Sequence, residues 1–170
     1  MALRVGLATC ALAALTGCGL SNLAFVADHR LHFVQPVSRS LVTAPVTLRW
    51  SIRDFTVVGP HQGPPSSRAG YFAIFVDRAP IRPGQTVAAI AHGDRSCTRT
   101  PGCPDAQYLA DRQVYITNQM SFTLDQVAPF RSRQKTQTHE ATIILLDSSG
   151  RRIGESVWYR DFRIKQRSLF

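Results

Sequence analysis

The chain has 170 residues, a formal charge of +9 and four cysteines, with 44% hydrophobic and 18% charged residues. That is enough for one packed domain and too apolar for wholesale disorder. No apolar run of eighteen residues follows position 20, which leaves no sequence for a spanning helix beyond the first residues.

Arg4 is the only charge before Asp28, and Val5 to Leu15 (VGLATCALAAL) is an unbroken apolar run ending in Thr16-Gly17-Cys18. A short basic start, an apolar stretch too short to span and small residues at its end predict a secretory signal peptide over 1–17. Its removal leaves 153 of the 170 residues and takes Arg4 with it, lowering +9 to +8. Leu15-Thr16-Gly17-Cys18 resembles the lipobox of bacterial lipoproteins. The resemblance implies that Cys18 carries a diacylglyceryl thioether and an acylated (palmitate-type) amino terminus, at the outer face of a membrane. Each buried methylene contributes about 0.8 kcal/mol, so two or three chains anchor a protein stably without a spanning helix. Residues 18–30 then form a short tether.

From Leu31 onward the signals are strands separated by turns. Leu31 to Val37 is a first short run. In Ala44 to Val57, Val46, Leu48, Trp50 and Ile52 alternate with Thr47, Arg49, Ser51 and Arg53, the period of a strand with one buried face. The parity changes at Asp54, which predicts a bulge or bend there. Gly59 to Gly70, rich in Gly and Pro, reads as a loop. Tyr71 to Val76 (YFAIFV) is apolar on both parities, as a strand covered on both faces would be. Asp77 to Gly84 is a turn, and Val87 to Ala91 a short strand. Gln113 to Thr117 and Met120 to Leu124 follow as strands, the second with Met120, Phe122 and Leu124 inward. Ala141 to Leu146, the turn Asp147-Ser148-Ser149-Gly150 and Arg152 to Ile164 make a terminal hairpin.

Seven or eight short strands with no amphipathic helix predict an all-β fold, an antiparallel sandwich over 31–165 followed by a basic tail at 166–170. Over that span the chain resembles small bacterial immunoglobulin-like lipoprotein domains. The resemblance is architectural and carries no activity.

With Cys10 lost in the signal peptide and Cys18 committed to lipid, Cys97 and Cys103 remain as an even pair in an exported chain. They predict a disulfide that pins the loop between them. The loops at 59–70 and 92–106 are the candidate presenting surfaces. Catalytic signatures are missing: there is no G-x-S-x-G, S-x-x-K, H-E-x-x-H or phosphate-binding loop. His139-Glu140 begins like a zincin motif, but no second His follows in place. The histidines at 29, 32, 61, 92 and 139 are scattered, and no catalytic, metal or cofactor residues are assigned. A copper or zinc accessory domain using His92 and His139, or a hydrolase of unrecognised type, are the alternatives. Asp77, Asp111 and Asp147 fall at strand ends or turns, where Asp satisfies backbone amides.

Eighteen arginines against two lysines, nine Asp and two Glu leave a positive surplus weighted toward the C terminus. Arg151, Arg152, Arg160, Arg163, Lys165 and Arg167, with Tyr159 and Phe162 interleaved, are the candidate anionic-surface binding residues. Basic residues beside aromatics also suit nucleic acid, but an exported lipoprotein seldom meets it. Anionic headgroups, an acidic envelope polymer or an envelope protein are the expected partners. The expected function is that of a membrane-anchored, non-enzymatic binding or assembly module, placed at the extracellular face or in the periplasm.

Overall fold

The computed structural model describes residues 28–125, 127 and 136–165. The expected signal peptide, Cys18, the tether up to residue 27 and the tail 166–170 with Arg167 lie outside the described residues.

Among the described residues the chain forms β1 (Leu31–Gln35), β2 (Leu41–Val42), β3 (Val46–Ile52), β4 (Thr56–Val57), β5 (Ala69–Val76), α1 (Arg95–Arg99), α2 (Ala106–Ala110), β6 (Val114–Thr117), β7 (Ser121–Leu124), β8 (Thr136–Leu146) and β9 (Trp158–Lys165). The fold is all-β in character. Strands β1-β3-β7 make a small antiparallel sheet. The larger sheet runs β2-β9-β8-β5, with β4 and β6 both paired to β5. It is mixed, not wholly antiparallel as the sequence predicts, because the two-residue strands β2 and β4 pair in parallel with β9 and β5.

The two sheets share one core. Val46, Leu48 and Trp50, the predicted inward set of β3, pack against Phe72, Ile74, Ile143, Leu145 and Phe162 of the larger sheet. The Trp50 and Phe72 rings meet edge to face with centroids 5.2 Å apart, an arrangement that adds about 0.5–1.5 kcal/mol to simple burial. The predicted break at Asp54 is present: this residue has φ of +54°, and beyond it the chain leaves the small sheet so that β4 can pair with β5. Met120 lies just before β7 and does not face the core; it is 42% exposed, while Leu124 of β7 is buried.

A third layer explains the double apolar parity of β5. The segment 77–113 folds back over the outer face of the larger sheet and covers Tyr71, Ala73, Phe75, Ile144 and Leu146 with Ile81, Val87, Ile90 and Leu109. Val87 to Ala91, expected as a strand, is a 3-10 helix in this cap, and α1 and α2 are single short helices that the sequence reading did not include. A strand there would leave its backbone groups unpaired over a face already occupied by β5 and β8. Asp94 and Asp105 stand at the two N-caps and accept from the first free amides, which makes such short helices possible. Cys97 and Cys103 form a disulfide, Cα atoms 5.3 Å apart, that closes the loop after α1.

Candidate functional site

β8 is longer than its neighbour. β5 pairs with it only from Ala141 to Leu146, whereas β9 pairs along its length from Thr136 to Ile143. Below Ala141 the sheet therefore narrows to the ribbon β2-β9-β8, past the reach of the cap. Strand alternation sorts the side chains there. Gln137, His139, Phe162 and Ile164 point toward the small sheet and are buried, whereas Thr138, Glu140, Tyr159, Arg163 and Lys165 point outward and are exposed.

The turn Val37–Ser40 completes this outer face. The Ser40 amide donates to the Val37 carbonyl, and Arg39 within the turn has φ of +60°. The Arg39 amide then donates to the Asp161 carbonyl at 2.8 Å and the Arg163 amide to the Ser40 carbonyl at 2.8 Å, so the turn is sewn onto β9. The result is a hollow of about 440 Å³ lined by Arg39, Thr138, Asp161 and Arg163. Among the described residues neither guanidinium has a hydrogen-bonding or ion-pair partner, and Asp161 holds no ion pair with either. Two cations, a carboxylate and a hydroxyl thus converge with their bonding capacity unspent. Tyr159, 63% exposed, lies two residues along β9 from Asp161 on the same face, about 7 Å away at strand rise.

The predicted basic set does not form one surface. Arg152 is buried, its guanidinium donating to the carbonyls of Ile81, Glu155 and Ser156, and burial draws its pKa below the usual guanidinium value. It fastens the cap to the β8–β9 connection. Arg151 is exposed but donates to the Gly84 carbonyl of the cap. Arg160 faces inward, its guanidinium 5.2 Å from the centre of the Phe33 ring and bonded to the Phe33 carbonyl. Only Arg163 and Lys165 of the described members are free on the open face. The reason is parity: Arg160 and Phe162 share the inward side of β9, Tyr159, Arg163 and Lys165 the outward one. Arg39, Thr138 and Asp161 were missed. The outward alternation of β8 and β9 carries the last two, but nothing local to residue 39 announces a parallel return onto β9.

The remaining candidates lie away from this face. His139 is 3% exposed, its Nδ1 2.7 Å from Asp77 Oδ2 and its ring stacked near Phe162. Asp77 also accepts from the Glu140 amide, as Asp147 does from those of Ser149 and Arg151; Asp111 instead takes the Gln107 side-chain amide. His92 is exposed in the cap. Among the described residues no three His, Cys, Asp or Glu side chains gather as a metal site, and no helix is long and apolar enough to cross a membrane. The loop at 92–106 is tied into the cap: Asp94 accepts from Ser96, Cys97, the Tyr108 hydroxyl and Arg112, and the Arg112 guanidinium stacks 3.5 Å from the Tyr108 ring centre.

Set against known protein families, curated proteins and solved structures, the chain finds no match.

Proposed function

We propose that this chain is a membrane-anchored envelope lipoprotein that acts as a non-enzymatic binding module, with a sandwich of immunoglobulin type as its body. Lipid on Cys18 holds it outside the cytoplasm, and residues 18–30 are the tether between the anchor and the domain. The observation that carries the binding role is the open outer face of the β2-β9-β8 ribbon. There Arg39 and Arg163 flank a hollow with no partner for either guanidinium among the described residues. Exposed side chains with unspent hydrogen-bonding capacity, fixed on a strand and a sewn-down turn, suit recognition of a polar, negatively charged partner. An anionic envelope polymer or an envelope protein is that partner, and the membrane is reached through the lipid.

The anchor is tested by Cys18→Ala in the native host. The variant is expected to leave the membrane fraction or to stall before signal-peptide cleavage. A variant that stays membrane-bound at the processed size overturns the lipid anchor.

A further inference from the structure

The ligand class of this face follows from what its side chains require. Arg39 and Arg163 call for an oxyanion, and a guanidinium holds a carboxylate through two parallel hydrogen bonds. Asp161 stands in the same hollow and accepts only. A bare phosphate or a headgroup phosphate would meet that carboxylate as a repelling neighbour. A ligand that presents hydroxyl donors beside its own negative group satisfies both demands, and Thr138 can donate to or accept from it. Beside the hollow the outer edge of β9 is taken by β2 at Arg163 and Ile164 and by the Arg39 amide on the Asp161 carbonyl, so no peptide strand can add to it there. Recognition in the hollow is therefore by side chains standing on a sheet face. Tyr159, largely exposed beside Asp161, supplies a flat ring against which the C–H face of a pyranose can pack.

We propose that the hollow binds an acidic saccharide of the uronic acid class. The sugar carboxylate lies between Arg39 and Arg163, ring hydroxyls donate to Asp161 and Thr138, and an adjoining ring rests on Tyr159. This deepens the reading of the ribbon as the binding face and rests on it, but not on Cys18.

The test uses the chain as its native host processes it, extracted in detergent micelles and titrated with trigalacturonate, maltotriose and inorganic phosphate. Trigalacturonate is expected to bind about tenfold or more tightly than either other probe. Arg39→Gly, which also relieves the positive φ, and Arg163→Ala should each weaken it about tenfold, the worth of a charged hydrogen bond. Tyr159→Ala should weaken both saccharides and leave phosphate unchanged. Asp161→Asn gives the sharpest discrimination, because phosphate should tighten while trigalacturonate loosens. All four positions are at least partly exposed, and an unchanged far-UV spectrum controls for folding. Failure of trigalacturonate to bind, equal binding of all three probes, or indifference to Arg39→Gly and Arg163→Ala overturns the assignment. Cys18→Ala separates the two readings: a chain released from membranes that still binds trigalacturonate supports both, whereas one that stays anchored and binds removes the anchor alone.

Discussion

Strand β8 shows one outer face to two surroundings. Its upper half puts Ile144 and Leu146 under the cap, both with no exposure, and its lower half puts Thr138 and Glu140 in the open. The inner face changes at the same place, from Ala141, Ile143 and Leu145 above to Gln137 and His139 below. The turning point is the end of β5, where Asp77 leaves the sheet at φ of +53° and takes the Glu140 amide on its carboxylate. A sheet that loses a neighbouring strand and its covering layer together cannot keep an apolar outer row without exposing it. The polar half is therefore available for binding, and the apolar half is committed to stability.

The contrast breaks most visibly by truncating each half. Ile144→Ala removes a fully buried side chain between sheet and cap and should destabilise by about 2–5 kcal/mol. Thr138→Ala, six residues down the same strand face, should stay within about 0.5 kcal/mol. Urea midpoints of the two variants check this; equal shifts would mean that the lower half is packed as tightly as the upper. A smaller effect is expected from Arg152→Met, which keeps the aliphatic stem but strips donors from the carbonyls of Ile81, Glu155 and Ser156. Leaving such groups without a partner costs about 1–3 kcal/mol. Hydrogen exchange should report the loss first in the Val87 amide, which donates to the Gly150 carbonyl, and the Arg152 amide, which donates to the Gln85 carbonyl, and last in β5.

The inner core was legible because a buried face leaves a period-two signature: β3 displayed it, and the break at Asp54 displayed its end. The double apolar parity of Tyr71 to Val76 correctly announced cover on both sides. What supplied the cover was not legible. The cap is built from 3-10 and single-turn helices too short to carry an amphipathic period, and its apolar contacts (Ile81, Val87, Ile90, Leu109) are spread over 29 residues without rhythm. The candidate site was half legible. Arg163 and Lys165 were singled out by charge, but charge counting could not separate them from Arg160 and Arg152, because sign along a strand does not tell which face a side chain takes. Arg39 joins the site through a parallel two-residue pairing that has no local signal at all.

The cap also differs from the sheet in how it answers acid. Asp94 joins α1 to α2: its carboxylate is held well below the usual range by the Ser96 hydroxyl, then the Cys97 amide and the Tyr108 hydroxyl, with partial burial opposing them. A carboxyl whose pKa is depressed by folding stabilises the fold fully above its unfolded value, near 3.9, and loses that contribution as pH falls through the lower folded value. Stability carried by Asp94 is thus present at neutral pH and declines below about pH 4. Asp94→Asn should lower the urea midpoint at pH 7 and shrink the further drop between pH 5 and pH 3. Asp28 retains some acid dependence in that variant, because its Arg30 hydrogen bonds outweigh the upward push of burial and keep its pKa low. The decline should appear as exchange in the amides of 94–112 before any in β8, since the sheet beneath the cap draws its hold from apolar burial that does not titrate. If wild type and Asp94→Asn lose midpoint equally between pH 5 and pH 3, the carboxylate is not what binds the two cap helices together.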